Sequence, residues 1–191
     1  MIGSARRPLL FLDVDGPLIP FGANAQELPD GYPTYPGPPS GPGAAADDDA
    51  NPLLSRIDPA LGPRLLALPC DLVWATTWLD EANEAVGPRL GLPELPVLDW
   101  PDDPSGPDGP KGTDGTDGTS GLHWKTRAIV EWASGRDLVW VDDEIGDVDR
   151  EWMAAHHPGH ALLRRVDARR GLTGADFAAI EVWCRGRTGR P

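Results

Sequence analysis

The sequence predicts an α/β fold: a largely parallel sheet with helices on both faces. Short apolar runs of strand length recur along the chain, and segments of helical character separate them. Several of these runs are apolar throughout instead of alternating with polar residues. That pattern implies strands buried on both faces, as in a parallel sheet between two helix layers. With 191 residues, 40% hydrophobic content and eight tryptophans, the chain suits one domain spanning residues 1–191 and is long enough to bury a core.

The first strand is "PLLFLD" (8–13). Residues 23–52 are rich in Pro, Gly, Ala and Asp and have no helical or strand period, so they predict a mobile surface loop within an irregular insertion over 17–52. Leu54, Ile57, Leu61, Leu65 and Leu68 recur at spacings of three and four, which predicts an amphipathic helix over 53–68 with Pro59 or Pro63 as its breaking point. "DLVWATTW" (71–78) is a second buried strand, 80–90 a helix with Asp80 as N-cap, and "LPVLDW" (95–100) a short third strand.

A second insertion covers 101–122. Its low-complexity sequence, with a small GTD repeat, lacks the apolar positions of a calcium-binding repeat and is expected to be a flexible linker. A helix over 123–134 carries Lys125. It is followed by the strand "DLVWVDDE" (137–144), a helix over 146–157, the strand "HALLRRVD" (160–167) and a closing helix over 173–185 with Thr173 as N-cap.

Charge narrows the functional classes. Seventeen basic against thirty acidic side chains give a net charge of −13, which argues against general affinity for a nucleic-acid backbone. The excess of carboxylates fits a solubilising surface or a site for a divalent cation. Cys70 and Cys184 show no CxxC spacing, which argues against zinc, and a cytoplasmic, reducing setting is expected. The first apolar stretch is interrupted at Asp13, too early for a signal peptide or a membrane span.

The chemistry gathers where strands end. The first strand ends in Asp13-Val14-Asp15-Gly16, the second at Thr76-Thr77, and the strand after Lys125 at Asp142-Asp143. In a parallel sheet these groups meet beyond one edge, where reactive groups collect. Each is ambiguous alone: DxDG also makes an Asx-type turn, Thr76 is a β-former, Lys125 a solvated helical lysine, and Asp142-Asp143 a helix cap. An EF-hand is rejected, because Gly16 falls at the fourth position of such a loop, Pro17 takes a ligand position and no glutamate stands at the twelfth.

In that order, "FLDVDG", "VWATTW", "HWKTRAI" and "VWVDDE" resemble the motifs of the haloacid dehalogenase (HAD) superfamily of phosphohydrolases, over residues 8–144. "LVWATTWLDEAN" followed by "WVDDE" is also similar to the HAD domain of Swiss-Army-Knife RNA repair proteins. The resemblance implies a Rossmann-like three-layer sandwich. It also implies a Mg²⁺-dependent phosphatase in which Asp13 is the nucleophile, Asp15 the acid/base, Thr76 a phosphoryl-oxygen donor and Lys125 the neutralising cation. The implied metal takes oxygens from Asp13, the Asp15 backbone carbonyl, and Asp142 or Asp143. Asp147 stands at a spacing some members use for the second acid, but it equally suits a helix start.

Neither insertion has a core-building pattern, so no substantial cap domain is expected, and an open site suits a large substrate. The RNA-repair resemblance implies phosphorylated nucleic-acid ends; the net charge pulls the other way. Arg164, Arg165, Arg169 and Arg170 read first as a solvated face, and most tryptophans as core, with Trp78 and Trp124 as candidate base-stacking platforms. His123 reads as a packing or capping residue near the site, and His156-His157 as complements to a helix dipole. The alternatives are a non-catalytic module of the same fold, a phosphatase of small metabolites or phosphoproteins, and an aspartyl nucleophile serving another acceptor or attacking carbon.

Overall fold

The computed structural model describes residues 6–37, 51–99 and 121–188. Four strands, β1 (Leu9–Leu12), β2 (Asp71–Trp74), β3 (Leu138–Asp142) and β4 (Ala161–Arg165), form an all-parallel sheet in the order β2-β1-β3-β4. Among the described residues, five α-helices accompany them: α1 (Leu61–Leu66), α2 (Gly87–Leu90), α3 (Lys125–Ala133), α4 (Asp147–His156) and α5 (Gly174–Thr188).

Strand pleating explains the layers. Leu10 and Leu12 of β1, with Leu72, Trp74, Val139 and Val141, point into one core that includes Leu61 and Leu65 of α1, Leu90 of α2 and Phe177 and Ile180 of α5. Leu9 and Phe11, with Val73, Leu138 and Trp140, point the other way, into a core completed by Ile129 and Ala133 of α3 and Met153 of α4. Both faces of the sheet are therefore covered, which is why its central strands β1 and β3 are buried along their whole length. Cys70 and Cys184 are free thiols buried in the first of these cores.

Two elements differ from expectation. The helix expected over 53–68 is divided into a 3-10 turn (Pro52–Arg56) and α1, with Ile57 extended between them and Pro59 just before α1. Pro63 is tolerated because it lies in the first turn of α1, where backbone N–H groups have no intrahelical partner. The strand expected at 95–100 is reduced to a single bridge from Val97 to Trp74. Its approach is fixed by Asn83, whose side chain bonds both the N–H and the carbonyl of Leu95 and accepts from the Trp74 indole, each at 2.9 Å.

The 80–90 helix carries a π turn (Ala82–Val86) ahead of α2. Pro88 cannot donate the next α-helical bond, so the ladder changes at this point. Leu79, just before this helix, holds a positive φ of 47°.

The described part of the first insertion has no helix or strand, yet it is tied to the domain. Tyr32 Oη accepts from the Ala23 N–H, Arg169 pairs with Glu27 at 2.7 Å, and Arg56 donates to the Pro20 carbonyl with its guanidinium 4.5 Å from the Tyr32 ring centre. Residues 38–50 and 100–120, with the acidic run and the GTD repeat, lie outside the described residues. Among the described residues no helix is long and apolar enough to cross a membrane.

Candidate active site

The strand order reverses direction at β1: the chain moves to β2 on one side, then crosses to β3 on the other. Open parallel sheets form a crevice at such a switch, beyond the carboxyl ends of the strands. Leu12 is level with Trp74 and with Val141, so the residues that follow these three positions emerge together. The Asp13 N–H donates to the Val141 carbonyl at 3.1 Å, and the Ala75 N–H to the Leu12 carbonyl at 2.9 Å. Asp13, Thr76 and Asp142 are consequently carried to one edge on three adjacent strands, and all three are buried.

Lys125, the first residue of α3, enters this edge from the side. Its Nζ lies 2.7 Å from Asp13 Oδ2 and 2.9 Å from Asp142 Oδ2, with the side chain only 4% exposed. The plain reading of Lys125 as a solvated lysine is thereby overturned. Burial opposes the ammonium form, but the two aspartates outweigh it and raise the Lys125 pKa. The Asp142 carboxyl is held below its ordinary range: burial pushes it up, and the Lys125 charge overcomes that push. Asp13 goes the other way, to about 7, because burial and the nearby Asp142 charge together exceed the help from Lys125. One ammonium thus serves two carboxylates and leaves the site short of positive charge.

Asp143 supplies the third carboxylate. Oxygens of Asp13, Asp142 and Asp143 lie within 4.8 Å of one another. Burial and the Asp142 charge push the Asp143 carboxyl up to about 6. Its place depends on Gly16, which has φ of 81°: a Cβ added there would fall inside contact distance of the Asp143 side chain. Arg165, at the end of β4, donates to the Asp143 backbone carbonyl at 2.9 Å and fixes the turn from outside.

The oxygens differ in how far they are already engaged. Asp142 is fully buried and accepts from Lys125 Nζ, Trp140 Nε1 and the Glu144 N–H. Asp13 Oδ1 accepts from the Val14 N–H and Oδ2 faces Lys125, so each keeps a lone pair. Asp143 is the least engaged and most accessible of the three. An all-oxygen donor set of this kind could hold a hard divalent cation, with Asp13 and Asp143 as its less engaged carboxylates. The Asp15 carboxylate is outside this group, and its Oδ2 accepts from Trp78 Nε1 at 2.9 Å.

A second cluster, His123, Asp142 and Glu144, has a different character. His123 Nδ1 accepts the Lys125 N–H at 3.1 Å, which puts the ring proton on Nε2, 3.2 Å from Glu144 Oε2. That arrangement is a hydrogen-bonded pair at the start of α3 with its ring nitrogens already in use.

Several supporting residues give little signal in the sequence. Asp149, buried at 1% exposure, accepts from the His123 N–H at 2.8 Å, from Thr126 Oγ1 at 2.6 Å and from the Gly146 N–H at 2.8 Å. It therefore joins the start of α3, which carries Lys125, to the start of α4, just after the acid pair. Its position three residues after Gly146, where an acid reaches back to a helix start, was the one available clue. Asp147 is 99% exposed on the side chain and projects away from the cluster.

The arginines of 164–170 are mostly committed within the chain: Arg164 to Asp176, Arg165 to Asp143, and Arg169 to Glu27 and Asp167. Trp78 and Trp124 are half-buried. Trp124 stacks beside His123 with ring centres 5.7 Å apart, and Lys125 Nζ lies 5.4 Å from its ring centre. A cavity of about 320 Å³ lies beyond Pro17 and Leu18, lined in part by Tyr32, Arg56 and Arg170, and the carboxylate cluster does not line it. Comparison with protein-family models, with curated proteins and with solved structures found no match for this chain.

Proposed function

We propose that the protein is a Mg²⁺-dependent phosphohydrolase of the HAD type, working through an aspartyl-phosphate on Asp13. The observation that carries this reading is Lys125 Nζ set between Asp13 and Asp142 at the carboxyl edge of a parallel sheet, with Asp143 beside them. A lone structural carboxylate would not be expected to gather a buried lysine and two further acids. A nucleophile that must approach a phosphate dianion needs such charge compensation.

Asp13 attacks phosphorus, and a proton from Asp15 goes to the leaving oxygen as its bond to phosphorus breaks. Asp15, now a carboxylate, takes a proton from the water that attacks the phosphorus of the aspartyl-phosphate. Free Asp13 and inorganic phosphate result. Lys125 holds Asp13 in place and offsets charge on the phosphoryl oxygens, and the Thr76 hydroxyl offers a donor from the neighbouring strand. Asp13, Asp143 and the Asp15 carbonyl would hold the Mg²⁺, whose contribution when bound is to neutralise charge on the phosphoryl group.

The leading substrate class is a large phosphomonoester presented to an open site, such as a phosphorylated nucleic-acid end; net charge disfavours long backbone contacts. Hydrolysis of an aryl phosphate with Mg²⁺ tests the activity, and Asp13→Asn must abolish it. Turnover that survives Asp13→Asn rules the reading out. A panel of 3′- and 5′-phosphorylated oligonucleotides, nucleotides, sugar phosphates and phosphopeptides then tests the substrate class, and activity confined to small sugar phosphates would exclude the large-substrate reading.

A further inference from the structure

We propose that Trp78 is a positioning residue for Asp15, holding its carboxyl group in the orientation from which it serves the leaving oxygen. The inference rests on the acid/base role given above to Asp15. Trp78 Nε1 donates to Asp15 Oδ2 at 2.9 Å, across 63 positions of sequence. An indole N–H can donate but never accept. The indole therefore engages Oδ2 and restrains rotation of the Asp15 carboxyl group.

The surroundings hold the indole at that point. Its ring packs against the core layer of α1, α2 and α5. The Trp78 N–H points to Thr76 Oγ1 at 3.4 Å, and the Trp78 carbonyl accepts from the Glu81 N–H at 3.0 Å. The next residue, Leu79, holds its positive φ although it is 40% exposed. Strain of this kind persists where neighbouring contacts impose it, and here it turns the chain just after the residue that reaches Asp15. On the other side, the Gly16 N–H donates to the Ile19 carbonyl and fixes the backbone from which Asp15 projects.

The test uses Trp78→Phe, which keeps a packed ring and removes the donor. Proton donation matters most when the leaving oxygen is a poor leaving group. The value of kcat/KM for phenyl phosphate should therefore fall by roughly 30-fold, against about 3-fold for 4-nitrophenyl phosphate, a part of the roughly 100- to 10,000-fold that a whole general acid contributes. In an Asp15→Asn background Trp78→Phe should add no further discrimination between the two esters. Equal losses on both esters, or additive losses in the double variant, overturn the inference and leave the phosphatase reading standing. A second readout needs no turnover: the Trp78 indole N–H resonance should shift on Asp15→Asn, and an unmoved resonance also overturns it. Wild-type protein with no Asp13-dependent turnover of either ester would overturn both.

Discussion

Gly16 and Asp143 occupy space that a β-carbon would make mutually exclusive. The turn after Asp15 passes so close to the Asp143 carboxylate that only a residue without a side chain fits, and φ of 81° favours glycine independently. Gly16→Ala should cost roughly 1–3 kcal/mol of stability. It should also weaken the proposed Mg²⁺-dependent turnover out of proportion to that loss, because the forced movement falls on a carboxylate proposed to hold the metal. Urea unfolding beside a Mg²⁺ titration of activity checks both, and a variant that folds and titrates like wild type would contradict the geometry.

Lys125 holds two buried carboxylates together. Lys125→Met leaves Asp13 and Asp142 facing each other with no cation, a change expected to cost about 3–5 kcal/mol at neutral pH. The loss should shrink in mild acid, where the carboxyls protonate, and a second change, Asp13→Asn, should restore part of it. Denaturant melts of the single and double variants across pH measure this. A loss independent of pH would point to packing and not to charge.

Asp13 and Asp143 bind protons more tightly in the folded chain than ordinary carboxyls do, at about 7 and about 6 against 3.8. Their stabilising contribution is complete below 3.8 and is lost as pH rises through those two values. Asp142, held below its ordinary range, acts in the opposite sense and contributes above 3.8. Without metal, Asp13→Asn should therefore raise the Tm by about 2–4 °C above pH 7, where it relieves about 1 kcal/mol of charge crowding. Millimolar Mg²⁺ should stabilise the wild type more than this variant. Thermal melts with and without Mg²⁺ decide it, and a destabilised Asp13→Asn above pH 7 would count against the charge account.

Asp149 joins two helix starts through three accepted bonds. Asp149→Asn cannot reproduce all three, because an amide has one accepting oxygen in place of two. It should cost about 2–4 kcal/mol and loosen the start of α3. Hydrogen exchange at Lys125 and Thr126 should rise more than exchange in β1. Uniform change across the domain would argue against a local joint.

Asp143 and Asp147 separate cleanly by exposure. Asp143→Ala should remove most Mg²⁺-dependent turnover, whereas Asp147→Ala, on a side chain 99% exposed, should leave the Mg²⁺ requirement unchanged. Mg²⁺ titrations of the two variants compare them, and a shifted requirement in Asp147→Ala would reassign the metal ligand.

The sequence by itself determined the layered parallel architecture, because burial on both faces leaves unbroken apolar runs such as "LLFL" and "LVWV" that composition alone can reveal. It also marked Asp13, Thr76, Lys125 and Asp142-Asp143 as strand-end and helix-start candidates, since a parallel sheet delivers all its carboxyl ends to one edge. It could not show the division of 53–68 or the shrinking of 95–100 to one bridge, because helical spacing and apolar runs do not report where packing interrupts the backbone. Only the tertiary structure buried Lys125 between two acids, set Asp143 apart from the fully engaged Asp142 and placed Asp147 in solvent. It alone brought Trp78 to Asp15 and Asp149 to the start of α3. Each of these facts depends on the distance between atoms far apart in the chain, and that distance fixes charge, desolvation and hydrogen bonding where residue order cannot.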